Sequence, residues 1–333
     1  MRKKLLTMML CVLLCAGCTN GKKRNDDKIK IGVSVYDSYD TFISELMRDF
    51  NAAVAENPDI TVEVYNASAS QQTQNKQMEQ MIEKGCDVIC INLVDRTAPK
   101  KIIDLAKKNN IPVIFFNREL VEEDLNQWEE LYYVGADAAE SGIMEGEVAA
   151  EALRNEEADK NGDGVIQYIV LEGEAGHQDA IVRTERSVDT LIEEGFEVDK
   201  IASAIANWSR SQAQTRMAGF IDTYGDEIEL VLGNNDDMAL GAIDAYKAAG
   251  IERKDWPVIV GIDGTTAGLQ AVVNGEMLGT VYNDQKGQAE AMANLAEALA
   301  RGESLDDLNL KNGRYIRLPY QKITIDNVND YLD

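Results

Sequence analysis

The stretch 159–170 reads DKNGDGVIQYIV, with oxygen-bearing side chains at its first, third, fifth and ninth positions: Asp159, Asn161, Asp163 and Gln167. Gly164 stands sixth, where a tight loop must turn sharply. This is the spacing with which a calcium loop of the EF-hand type wraps hard oxygen donors around its ion. The twelfth position, where that loop needs a bidentate Glu, is Val170. Read without an ion, the same residues make a polar, Asx-rich turn ahead of an apolar run.

A second kind of chemistry is spread along the chain. Acids, amides and a few basic residues gather at 37–40, 117–118, 173–183, 234–237, 263 and 283–284, each cluster following a short apolar run. Carboxylates and amides pair bidentately with hydroxyl groups, and an Arg offers donors in fixed directions. Six such clusters point to one polar binding site rather than to ordinary turns. Asp40, Asp179 and Asp263 could also supply the two carboxylates of a glycosidase, but nothing in their context marks one as acid and another as nucleophile.

Elements that could carry these clusters are legible in the hydropathy. Strand-like runs at 29–35, 61–65, 88–93 and 111–117 alternate with helical patterns such as Phe42, Ile43, Leu46, Phe50 and Val54. After YYVGAD (132–137) the rhythm restarts: a helix over 141–155, then strands at 165–171, 229–232, 258–261 and 279–282. Repeated β-α alternation predicts parallel sheets covered by helices on both faces. In such sheets ligands bind beyond the strand C-termini, where the clusters lie.

The N-terminus reads as delivery. Arg2, Lys3 and Lys4 precede the apolar run 5–14, and Ala16-Gly17 precede Cys18. This predicts a secretory signal peptide over 1–17, too short for a stable membrane span. LLCAGC resembles a bacterial lipobox, although Cys15 occupies the usual Leu position. That resemblance implies lipidation at Cys18 and an exported protein anchored on the outer face of the cytoplasmic membrane. The alternative is simple cleavage to a free, periplasmic form. Residues 18–28 are polar enough to serve as a tether.

Cys11, Cys15 and Cys18 fall in the signal region, leaving Cys86 and Cys90 of the five cysteines. Four places apart in a strand, at ~3.3 Å per residue, they are beyond disulfide reach of one another and read as small core residues. The formal net charge is −25, and loss of the three leading cations with the signal makes it −28. Such a chain is a poor ligand for nucleic acid or anionic lipid. The 316 residues after the signal suggest about two domains.

The ordered landmarks INLVD (91–95), VIFFNRE (113–119), YYVGAD, DKNGDGVIQ, GEAGHQDA (173–180), NNDDMALGA (234–242), VGIDG (260–264) and VYNDQ (281–285) resemble the galactose/glucose-binding protein family, over about 29–320. Its members are soluble receptors of ABC-type sugar importers with the type I periplasmic binding-protein fold. The resemblance implies an α/β architecture of two doubly wound parallel-sheet (Rossmann-like) lobes joined by three hinge crossings, near Ala136, near Asn283 and at 318–320. One lobe is then 29–136 plus 284–318, the other 137–283 plus 319–333.

It also implies polar ligand contacts from Asp40, Asn117, His177, Asp179, Arg183, Asn235, Asp263 and Asn283. Phe42 and Trp208 match the two aromatic rings that sandwich the sugar, whose C–H faces suit aromatic packing. For calcium, the implied ligands are Asp159, Asn161, Asp163, the Val165 carbonyl and Gln167, closed by Glu229. The ion would be structural. Arg118 and Gln178 depart from the family's Lys and Pro beside the pocket. The function implied is capture of D-galactose or D-glucose by lobe closure and delivery to a membrane permease, by a monomer that is not an enzyme. A chemoreceptor or sensor kinase is the alternative reader of the closed form. A transcription regulator of the same fold would need a DNA-binding headpiece, which an export signal and acidic charge argue against.

Overall fold

The computed structural model describes residues 28–155 and 158–332 of the chain. The signal segment and Cys18 lie outside the described residues. The first sheet is built from β1 (Ile29–Val35), β2 (Ile60–Asn66), β3 (Val88–Ile91), β4 (Val113–Phe116), β5 (Leu131–Gly135) and, from far along the chain, β11 (Tyr315–Arg317). Their spatial order is β11-β5-β4-β3-β1-β2, and every pairing is parallel. The central strands are buried on both faces, as unbroken apolar runs such as VICI and VIFF require. Helices α1 (Thr41–Ala55) and α10 (Gln285–Arg301) cover one face. Helices α2 (Gln71–Glu83) and α3 (Lys100–Asn109) cover the other, while the single turn α4 (Glu122–Leu125) lies near its edge.

The second sheet repeats the plan. Strands β6 (Val165–Glu172), β7 (Glu197–Ile205), β8 (Leu230–Gly233), β9 (Val258–Asp263), β10 (Gly279–Asn283) and β12 (Tyr320–Thr324) stand in the order β12-β10-β9-β8-β6-β7. Only the β10–β12 pairing is antiparallel. Helices α5 (Ala138–Asn155) and α6 (Gln178–Glu193) pack on one face. Helices α7 (Arg210–Tyr224), α8 (Asp236–Ala249) and α9 (Thr266–Val273) pack on the other.

The chain passes between lobes at 135–138, 283–285 and 317–320. A small apolar cluster of Ile262, Val281 and Tyr320, backed by Ala136 and Met144, packs beside these passages. Three strands were not visible as apolar runs, among them β12, which is buried at only two of its five positions. β7 is an edge strand with mostly exposed side chains, and β11 has only three residues. The strand read at 229–232 is displaced to Leu230–Gly233, which places Glu229 just before it. Cys86 and Cys90 are buried and free.

Candidate functional site

A cavity with about 350 Å³ of empty space lies between the lobes, at the strand C-termini of both sheets. The first lobe contributes Tyr36, Asp40, Phe42, Asn117 and Arg118. The second contributes His177, Asp179, Arg183, Trp208, Asn235 and Asp263.

Several of these side chains are fixed because they cap helices. Asp40 is the N-cap of α1: one oxygen accepts the Ile43 N–H at 2.9 Å and the other accepts the Tyr36 hydroxyl at 2.5 Å. Asn235 caps α8, its Oδ1 accepting the Met238 N–H at 3.0 Å, which leaves its NH2 as the free donor. His177 caps α6 through Nδ1, which accepts the Asp179 N–H at 3.1 Å. Burial pushes its pKa down to about 4, so the ring is neutral at pH 7 and its remaining proton sits on Nε2 as a donor. Asn117 is held from behind: Asn92 donates to its Oδ1 at 3.0 Å and Tyr133 donates to its carbonyl at 2.8 Å. Its amide NH2 is thereby left to donate.

Arg183 is the electrostatic centre. Its Nε donates to Ser141 Oγ at 3.2 Å, Nη1 to the Asn234 carbonyl at 2.8 Å, and Nη2 to the Tyr320 hydroxyl at 3.2 Å. Two of the five guanidinium N–H bonds remain, and the carboxylates of Asp179 and Asp263 each stand 3.7 Å away. Burial pushes the Asp263 carboxyl well above the usual range, against the opposing pull of Arg183 and a hydrogen bond from Asn283. Asn283 itself does not line the cavity. Its Oδ1 accepts from Gln288 at 2.6 Å, and it works through Asp263. It therefore stands directly beside a lining residue, Asp263, at the end of β10. Gln178, the first residue of α6, also stays out of the lining.

Backbone strain marks the same place. Asn117, Trp208 and Asp263 have φ of 59°, 61° and 126°, a region that costs a non-Gly residue ~1–3 kcal/mol and persists where surroundings over-determine it. Trp208 meets the His177 ring edge-on, with centroids 5.2 Å apart. A Cβ on Gly173 would fall 2.2 Å from the Trp208 ring, so only Gly allows the ring its position.

Sequence reasoning set Arg118 beside the pocket without a contact role, and passed over Tyr36, Asp236 and Glu145. Tyr36, in YDSYD, both lines the cavity and holds Asp40. Arg118 is buried, stacks 3.6 Å above the Tyr36 ring and pairs with Glu174 of the other lobe at 2.9 Å. Asp236, buried beside Asn235, accepts from Thr265 N–H at 2.7 Å, Thr265 Oγ1 at 3.0 Å and Thr280 Oγ1 at 2.6 Å, fixing the turn after Asp263. Burial still raises its pKa to about 7. Glu145, on α5, is buried. Burial drives its pKa well up, with Arg183 pulling the other way. The signal for all four was adjacency to a polar cluster or polarity within an apolar helix face. Elsewhere at the cleft, Thr41 donates to Asp237 at 2.7 Å and the Thr266 N–H donates to Glu45 at 3.2 Å, so the two lobes are bonded directly.

The loop 159–167 is separate from the cavity. Asp159 accepts the Gly162 and Gly164 N–H groups at 2.7 and 3.0 Å, and Asp163 accepts that of Val165 at 2.8 Å. Asn161 donates to Gln167 at 3.0 Å, and Gln167 donates to Asp163 at 3.1 Å. Glu229, buried, accepts the N–H of Lys160 at 2.6 Å and of Gln167 at 3.0 Å. The residues expected as calcium ligands are thus brought together. Among the described residues, however, no three His, Cys, Asp or Glu side chains converge closely enough to hold a metal by themselves. The donors are all oxygen, from carboxylates and amides, which suits a hard cation over zinc. A calcium shell here would need the neutral oxygens as well as the three carboxylates.

Two parallel-sheet lobes with one polar, aromatic-lined cavity between their strand C-termini define a two-lobed ligand-binding protein of the type I periplasmic binding-protein fold. Residues 31–304 match the periplasmic binding protein domain, and the chain belongs to that family. It is 33% identical, over 100% of both chains, to the D-galactose/methyl-galactoside binding periplasmic protein of Haemophilus influenzae. It is 33% identical to a xylitol-binding protein of Mycolicibacterium smegmatis, covering 84% of this chain and 75% of that one. Among solved structures, an ABC transporter solute binding protein from Bacillus halodurans with bound myo-inositol superimposes with a TM-score of 0.78. That pair is 30% identical and covers 92% of this chain and 98% of the other.

Proposed function

We propose that the protein is an exported receptor that captures a hexose, D-galactose or D-glucose, between its lobes and presents the closed form to the permease of an ABC-type importer. The observation that carries this reading is the alternation of fixed donors and acceptors around one small cavity fed by both lobes. His177 Nε2–H, the Asn117 and Asn235 amides and two Arg guanidinium groups donate, while Asp40, Asp179 and Asp263 accept. Ring hydroxyls do both, and an unpaired buried hydroxyl costs ~1–3 kcal/mol, so a sugar needs this density of partners. Phe42 and Trp208, from different lobes, supply apolar faces for its C–H patches. The Haemophilus relative, with its galactose in name, favours the hexose among the ligands of related proteins.

The carboxylates serve binding, not turnover: Asp179 and Asp263 share one Arg, and Asp40 is tied down as a helix cap. Calorimetry of the mature protein against D-galactose, D-glucose, ribose, arabinose, xylitol and myo-inositol tests the reading. Tight binding of a hexose, with the pentoses and polyols at least tenfold weaker, is expected. Absence of hexose binding, or preference for a polyol, would overturn it.

A structural calcium ion belongs to the same proposal. Asp159, Asn161, Asp163, Gln167, the Val165 carbonyl and Glu229 would hold it, stapling the loop before β6 to the residue before β8. Its removal by chelator lowers the unfolding midpoint while hexose affinity persists. An unchanged midpoint would remove the ion from the account. Lipidation at Cys18 is the third part: Cys18→Ser is expected to release the protein from the membrane fraction, and continued anchoring would refute it.

A further inference from the structure

Tyr36, Asp40 and Trp208 also line a second, larger groove at the cleft mouth, with about 1020 Å³ of empty space. We infer that this groove is a second carbohydrate subsite, taking a neutral sugar ring joined glycosidically to the ring in the cavity. The inference rests on the hexose reading of the cavity and extends it from a single sugar ring to disaccharides.

Three observations carry it. The inner cavity and the groove share three lining residues, Tyr36, Asp40 and Trp208, which sets a ring in the groove next to a ring in the cavity. The groove's outer wall bears Tyr39, whose side chain is 91% exposed, more than any other large apolar or aromatic residue described. An aromatic ring held out to solvent beside a sugar site is a ready platform for the C–H face of a second ring. It is held on a built turn: the Tyr39 N–H donates to Asp37 at 3.0 Å, and Asn66 donates to Ser38 at 2.7 Å.

The facing wall is also fixed. Asn207 and Trp208 have consecutive positive φ values of 52° and 61°, and the Asn207 amide donates to Gln212 at 2.9 Å. Ser209, Gln212 and Gln214 there offer hydroxyl and amide groups of the kind that pair with sugar hydroxyls. The charges select for neutrality. Arg210, the groove's one cation, is doubly paired with Asp244 at 2.5 and 2.8 Å, while Asp37, Asp40 and Asp237 stand around the rest. A phosphorylated or acidic second unit would meet carboxylates and no uncommitted cation.

The test is calorimetry of the mature protein and its Tyr39→Ala variant with D-galactose, D-glucose, both methyl galactosides, and the neutral disaccharides lactose, melibiose, cellobiose and maltose. At least one disaccharide is expected to bind within tenfold of its parent hexose. Tyr39→Ala should weaken that disaccharide fivefold or more and leave the hexose within twofold, because Tyr39 lies outside the inner cavity. Hexose binding with every disaccharide rejected would overturn the subsite and leave the hexose reading standing. A disaccharide that binds equally well to both proteins would also overturn it. Failure of every sugar would sink both.

Discussion

The two lobes have the same sheet plan but treat the ligand differently. The first lobe's contribution is held mostly by neutral contacts: Tyr36 on Asp40, and Asn92 and Tyr133 on Asn117. The second lobe's contribution is a buried ionic cluster, with Arg183 between Asp179 and Asp263 and the strained backbone at Trp208 and Asp263. Buried charges are costly unless their partners are complete, so the second lobe has invested most in a preformed site. Arg183 also bonds Ser141 and Tyr320, just beyond two of the chain crossings, tying that site to the joint between the lobes. The first lobe, whose Asp40 and Asn117 are held by uncharged partners and whose Arg118 pairs with Glu174 across the cleft, is better suited to close over a ligand already seated.

The largest break in this contrast should come from Asp263→Ala. Truncating one member of a buried charge pair costs about 2–5 kcal/mol, so hexose affinity is expected to fall roughly thirtyfold or more with circular dichroism unchanged. A loss under threefold would move the binding energy to the other lobe. Gly173→Ala should come next, because the added methyl must displace the Trp208 ring. Losing ring packing of ~0.5–1.5 kcal/mol predicts an affinity roughly three- to tenfold weaker. Thr41→Val removes one lobe-to-lobe hydrogen bond, worth about 0.5–1 kcal/mol. It should raise the dissociation rate two- to fivefold in stopped-flow measurements with little effect on association.

Acid should act through His177. Its folded pKa, about 4, lies below the ordinary 6.5, so the unfolded chain takes the proton first as pH falls. Stability from this group is full above pH 6.5 and is lost between 6.5 and 4, and His177→Gln should flatten that part of the profile. Glu145 gives the smallest and opposite effect. Its carboxyl is raised by burial, so the fold holds its proton where the unfolded chain has released it, and stability falls as pH rises above the usual Glu value of 4.5. Glu145→Gln should remove that decline and raise the unfolding midpoint at pH 7, and a lower midpoint would show that the charge is used.

Legibility in the sequence followed locality. The β-α alternation was plain because buried parallel strands are unbroken apolar runs, whereas β7, exposed along an edge, carried no such signal. Within the site, Asp40, His177 and Asn235 were visible as polar residues after strands, but not that each spends one atom on a helix cap. That detail sets which atom is left to donate or accept. Tyr36 was missed, and Arg118 was placed beside the pocket without its role, because both act by stacking on one another and Arg118 by reaching across lobes, which no spacing along the chain encodes. Asn283 was visible as a polar residue at the end of β10, but not its bonds to Gln288 and Asp263.

Small-angle X-ray scattering of the mature protein, titrated with D-galactose and D-glucose alongside Asp263→Ala, tests lobe closure most directly. A saturable fall in the radius of gyration of the wild type, absent in Asp263→Ala at the same sugar concentration, is the predicted result. Hexose binding that leaves the wild-type scattering unchanged would mean that the sugar is held without closure and would contradict the account.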